Sequence, residues 1–201
     1  DLQPARICAG SGREDSSSFN RRFLMRDGTV RMNPGARPDK VRPMGPIDPQ
    51  VGVVYIESTG GQPLVTVVNF ALHVAVVGGS RISSDFPHTL AETLGRVKGD
   101  AMLTVFLNGL SGNINHLNAY DPRGLRGEAE AARIGTILAA AVLQTYRGLR
   151  PVDAAGLRAV SRAVRVPVQP APTPERLTEA HATLRRPGQG ATFPEVIRAW
   201  R

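Results

Sequence analysis

The sequence predicts an α/β protein: a mixed sheet with a parallel β–α–β core and flanking helices, preceded by a loop-rich N-terminal segment. Three observations carry this. The runs Leu64-Val65-Thr66-Val67-Val68-Asn69-Phe70 and Met102-Leu103-Thr104-Val105-Phe106-Leu107 are apolar, partly β-branched and of strand length. Phe86 to Val97, between them, has helical spacing. Strand, helix, strand in that order makes the two strands parallel, because the crossover returns the chain to the same sheet edge.

The other elements follow in order. Residues 1–50 are rich in Gly, Pro, Ser and Arg with little periodicity, the composition of extended loops. Val51 to Glu57 reads as a strand and Ser58-Thr59-Gly60-Gly61 as a turn, so 51–70 is a hairpin. Asp85 suits the N-cap of the 86–97 helix, and Pro87 is tolerated in its first turn. A long helix is expected from about Glu128 to Tyr146, with Ile134, Leu138 and Val142 on its buried side. Glu128 and Glu130 at its start, and Arg147 and Arg150 after it, suit its dipole. Ala155 to Val168 alternates enough to be a strand. Thr173 caps a polar helix from Pro174 to about Leu184, and Pro187-Gly188-Gln189-Gly190 precedes a last helix. These elements divide into a main domain, 1–168, and a helical extension, 169–201.

Composition narrows the classes. A chain of 201 residues with 41% hydrophobic residues can build a substantial core, and no apolar run approaches membrane-spanning length. Cys8 is the only cysteine, which excludes an internal disulfide and a cysteine zinc cluster and leaves the compartment open. The net charge of +8 is almost all arginine, since only Lys40 and Lys98 are lysines. The arginines are scattered, no basic run exceeds a pair, and aromatics for base stacking are few, so no nucleic-acid partner is expected. The chain starts at Asp1 without a methionine or signal peptide and stops at Arg201 inside an amphipathic stretch (Phe193, Val196, Ile197, Trp200). We read it as a piece of a longer protein, with the rest of the polypeptide as a partner.

Chemistry concentrates after the two parallel strands, whose ends share the edge where α/β proteins place their sites. The first runs into His73 and then Gly78-Gly79-Ser80 up to Asp85, the second into Asn108-Gly109-Leu110-Ser111-Gly112-Asn113-Ile114-Asn115-His116. His73, at a strand end, is a candidate metal ligand: a neutral imidazole binds zinc through one nitrogen. His116 is a further ligand, a proton shuttle or a hydrogen-bonded loop residue. Asn113 and Asn115 suit polar substrate groups or an oxyanion, whereas Asn69 and Asn118 suit loop backbone. Asp85 is an N-cap first, with a role behind a metal ligand as the alternative. His88, within a helix, reads as structural, and His181, on a polar helix, as exposed.

Asn20-Arg21-Arg22, Asn33-Pro34, Pro46-Ile47-Asp48-Pro49-Gln50-Val51-Gly52, Val68-Asn69-Phe70-Ala71-Leu72-His73 and Gly112-Asn113-Ile114-Asn115-His116 occur in this order. Together they resemble the N-terminal catalytic domain of the neutral/alkaline non-lysosomal ceramidases, and more closely a bacterial branch of unassigned activity. The resemblance covers about residues 15–165. It implies a zinc-dependent hydrolase in which zinc and a serine cleave an N-acyl amide, with two histidines, a glutamate and a tyrosine on the metal. His73 matches the second histidine; the resemblance puts the other three ligands outside this chain. Asn115 stands where the family has its nucleophilic serine, and an amide lacks the hydroxyl that nucleophile needs. Ser111 is the nearby hydroxyl. Direct attack by metal-activated water on an amide or related bond is therefore the expectation, with Ser111, Asn113, Asn115 and His116 around the reaction and Zn2+ on His73. The substrate class is a small molecule or lipid, and the resemblance is compatible with export. These 201 residues alone are expected to be inactive. The alternative is a non-catalytic relative that binds a lipid head group or carbohydrate.

Overall fold

The structure, a computed structural model, describes residues 2–153, 156, 158–168, 170–185 and 196. The chain divides into two units, Asp1–Gly156 and Leu157–Arg201. The first unit holds β1 (Ala5–Arg13), β2 (Phe19–Asn20), β3 (Arg22–Met25), β4 (Val30–Met32) and β5 (Lys40–Pro43). These are followed by β6 (Gln50–Ser58), β7 (Pro63–Phe70), α1 (Phe86–Lys98), β8 (Leu103–Asn108), β9 (Ile114–Asn115), α2 (Glu128–Thr145) and β10 (Arg150–Pro151). In the second unit Thr173 caps α3 (Pro174–Leu184), its hydroxyl accepting from the Arg176 amide.

The main sheet has five strands in the order β10-β1-β6-β7-β8. β6 and β7 form the expected antiparallel hairpin, while β7 and β8 run parallel with Phe70 beside Asn108. The mixed sheet with its β7–α1–β8 core is thus the α/β architecture read from the sequence. β1 lies antiparallel to β6 over nine residue pairs and to β10 at the outer edge. The first fifty residues therefore carry more strand than their composition suggests. Gly10 and Gly12 weaken the local strand signal, yet each sits where little else fits. A Cβ on Gly12 would lie 2.1 Å from Thr145 Oγ1, because β1 passes directly under the end of α2.

Both long helices cover one face of the sheet. Val51, Val53, Val68 and Phe70 meet Phe86, Leu90 and Leu94 of α1 and Ile134, Leu138 and Val142 of α2 in one core. Thr66 is the polar exception, and its Oγ1 lies 2.6 Å from the Tyr146 hydroxyl. A smaller sheet, β4-β3-β5, and the β2–β9 pair come from the N-terminal segment and the loop after β8. Lys40 ties them together: its Nζ donates to the Gly35 carbonyl (2.7 Å) and to that of Ala119, and sits 4.6 Å from the Tyr120 ring centre.

The strand expected over 155–168 is not formed in the described residues, 156 and 158–168. Alternation alone makes no strand; backbone groups need a partner ladder, and Pro167 supplies no donor. The stretch with Phe193, Ile197 and Trp200, and the turn at 187–190, lie outside the described residues. Among the described residues no helix is long and apolar enough to cross a membrane.

Candidate functional site

Parallel pairing brings the loops after β7 and β8 together. The Gly109 amide donates to the Phe70 carbonyl (2.9 Å), and Asn108 Nδ2 to the Leu72 carbonyl (3.2 Å). A Cβ on Gly109 would lie 3.0 Å from the Ala71 nitrogen and 3.1 Å from its Cα, so glycine permits this approach. His73 follows immediately. It is half-buried, and its Nδ1 is buried without a hydrogen-bond partner.

Asp85 holds the His73 loop in place. Its Oδ1 accepts from the Phe86 amide (2.7 Å) and caps α1, while Oδ2 accepts from the amides of Val76 and Val77 (2.8 Å each). The residue adopts φ +58° with ψ −151°, outside the left-handed helical well and in backbone space that glycine occupies most readily, so these bonds hold a strained conformation. The N-cap reading of Asp85 is what the structure shows, with the loop bonds added to it.

The loop after β8 is clamped by the N-terminal segment. β9 pairs antiparallel with β2, setting Asn115 beside Phe19. Arg21 extends the clamp: its amide donates to the Asn113 carbonyl and its Nη2 to the Gly112 carbonyl, both at 2.8 Å. Asn115 is buried, with Nδ2 donating to Asn33 Oδ1 (2.7 Å) and Oδ1 accepting from the Leu117 amide (3.1 Å). Arg21 and Asn33 were visible in the sequence only as members of the family-like motifs; the structure makes them the supports of this loop.

The candidate residues separate into two groups. Ser111 and Asn113 line an open cleft of about 540 Å³, whose other wall includes Asn20, Pro46, Ile47 and Asp48. Asn115 and His116 are buried and are not part of that lining. His116 is 6% exposed, and neither ring nitrogen makes a hydrogen bond of good geometry, the Leu125 backbone being its nearest polar influence of that kind. Ser18, which precedes β2, is likewise fully buried with an unpartnered hydroxyl.

Burial pushes the His116 pKa below its ordinary value, and the charge of Arg126 adds to this, while Glu130, Asp85 and the Leu125 backbone pull the other way. Glu130 is itself buried and ionised beside Arg133, at 2.6 and 2.8 Å, and that hydrogen bonding lowers its carboxyl pKa. The consequence for stability has a definite sign. Unfolded imidazole gains its proton near pH 6.5, before the native one does, so acidification through that value favours the unfolded state. Urea midpoints should therefore fall between pH 7.5 and 5.5 (about one unit either side of the ordinary value). The fall should be smaller in His116→Gln; equal slopes in the two proteins would remove His116 as the cause.

Among the described residues no three His, Cys, Asp or Glu side chains are grouped to hold a metal ion. His73 keeps one imidazole nitrogen, Nδ1, buried and without a hydrogen-bond partner.

Fold and loops together define a helix-covered α/β sheet with polar loops at the C-terminal ends of its parallel strands. Two solved structures are similar to it. One is a ceramidase complexed with C2: TM-score 0.54, 20% identity, covering 72% of this chain and 22% of that one. The other is neutral ceramidase from Pseudomonas aeruginosa: TM-score 0.55, 21% identity, covering 72% of this chain and 23% of that one. At this identity the likeness shows a shared fold, and the chain spans less than a quarter of either protein's length. No family model matches the chain, and no curated protein does.

Proposed function

We propose that this chain is part of a hydrolase resembling neutral ceramidase, acting on an amide (N-acyl) or related bond of a small-molecule or lipid substrate. The observation that carries the reading is the meeting of the His73 loop with the Ser111–His116 loop at the ends of β7 and β8. The fold shared with two ceramidases supports the same reaction class. Zinc is the cofactor in this reading, with His73 as one ligand and the others from polypeptide outside residues 1–201. When bound, zinc supplies a Lewis acid for the scissile carbonyl and an acidified water.

The chain's own residues bind and orient. Ser111 and Asn113 present a hydroxyl and an amide to the cleft, groups that suit the polar part of an N-acyl substrate. Asn115, tied to Asn33 and to the Leu117 amide, keeps the loop's shape and leaves the attack to water. His116 lies behind this cleft, where burial disfavours its charged form.

Metal analysis of the full-length protein tests the proposal. The wild type should carry zinc, and His73→Ala should weaken its affinity by at least about 100-fold, the upper end of what even a ligand's supporting residues cost. Zinc content unchanged in that variant would remove the proposal. A second reading, a ligand-binding relative without turnover, is favoured by the locked amide at position 115. A panel of amide and ester substrates separates the two: turnover abolished by a chelator supports the hydrolase, and binding without turnover supports the binder.

A further inference from the structure

β8 forms one edge of the main sheet, and its own sequence carries none of the usual guards of such an edge. Leu103-Thr104-Val105-Phe106-Leu107-Asn108 contains no charge, no proline and no bulge. Its outer backbone groups have no ladder partner among the described residues. The strand is also apolar on both faces. Phe106 packs against the helix-covered core, whereas Leu103 and Leu107 on the opposite face are 60% and 50% exposed. The register continues that apolar face inward: Leu103 aligns with Val65 and Ile56, and Val105 with Val67 and Val54. A parallel strand with a near-continuous apolar run is the pattern of a sheet interior.

We infer that a further β-strand, from a segment of the same polypeptide outside residues 1–201, pairs with the free edge of β8 and continues the sheet. It rests on the reading above that this chain is part of a larger hydrolase. The occupant follows from the chemistry of the edge. Alternating N–H and C=O groups are satisfied in register only by an extended backbone, and the flanking leucines and valine call for apolar neighbours. The solved structures sharing this fold hold more than three-quarters of their length outside the matched region, enough for many such strands.

Hydrogen exchange on the full-length wild-type protein reads this without any substitution. Pairing on both sides should protect the successive amides from Thr104 to Leu107 as strongly as those of β7. A free edge would show alternate amides exchanging in seconds, and that result would overturn the inference. As a second measurement, Val105→Lys should lower Tm by about 5 °C or more, since it would place a charge in a sheet interior. Val97→Lys, on an α1 residue that is already 59% exposed, is the control. Protection that depends on protein concentration would mean that a second copy covers the edge, and would also overturn the inference. Neither measurement reads zinc or turnover, so the inference and the hydrolase reading can fail separately.

Discussion

Gly135→Ala should destabilise the protein by about 3 kcal/mol, the upper part of the range for overpacking a core. The added methyl would lie 2.6 Å from the Phe86 carbonyl oxygen, 2.8 Å from Thr89 Cβ and 3.0 Å from the Leu90 nitrogen. Two of these are backbone atoms in the first turns of α1, so no side-chain rotation relieves the clash. The helices must separate, and Leu90 and Ile134, both fully buried, then lose contact. A domain is stable by about 5–15 kcal/mol, so a loss of this size is a large share of the total. Chemical denaturation of wild type and variant measures it, and a difference below about 1 kcal/mol would mean that α1 can draw away from α2 at little cost.

Asp85→Ala should cost about 4 kcal/mol, because three charge-assisted bonds are lost and the Val76 amide is left buried. The effect reaches the site. Val76 and Val77 are the points where the loop from His73 is fixed, so their amides should exchange faster while α2 stays protected. Asp85→Asn, which keeps one carbonyl acceptor, should recover part of the stability. Unchanged exchange at Val76 and Val77 in Asp85→Ala would show that the loop is fixed by something other than this carboxylate.

Elements whose signal is local could be read from the residues alone. α1 and α2 were legible from apolar spacing at the helical period, and both lie within two residues of the expected ends. The β6–β7 hairpin was legible from two apolar runs around a glycine turn. The parallel pairing of β7 with β8 followed from the helix between them, and with it the meeting of the His73 loop and the loop after β8.

What depends on a distant partner emerged only in the folded chain. β1 has a weak strand pattern because its glycines answer to Thr145 and Leu149, more than a hundred residues away, rather than to their neighbours. The valines of the 155–168 stretch alternate well, yet without a ladder the described residues there form no strand. Asn115 and Ser111 look alike in sequence as polar loop residues four positions apart. One is sealed against Asn33, and the other opens onto the cleft. Periodicity reports which side of an element is apolar, but not which polar side chain finds a partner; that depends on where the chain returns.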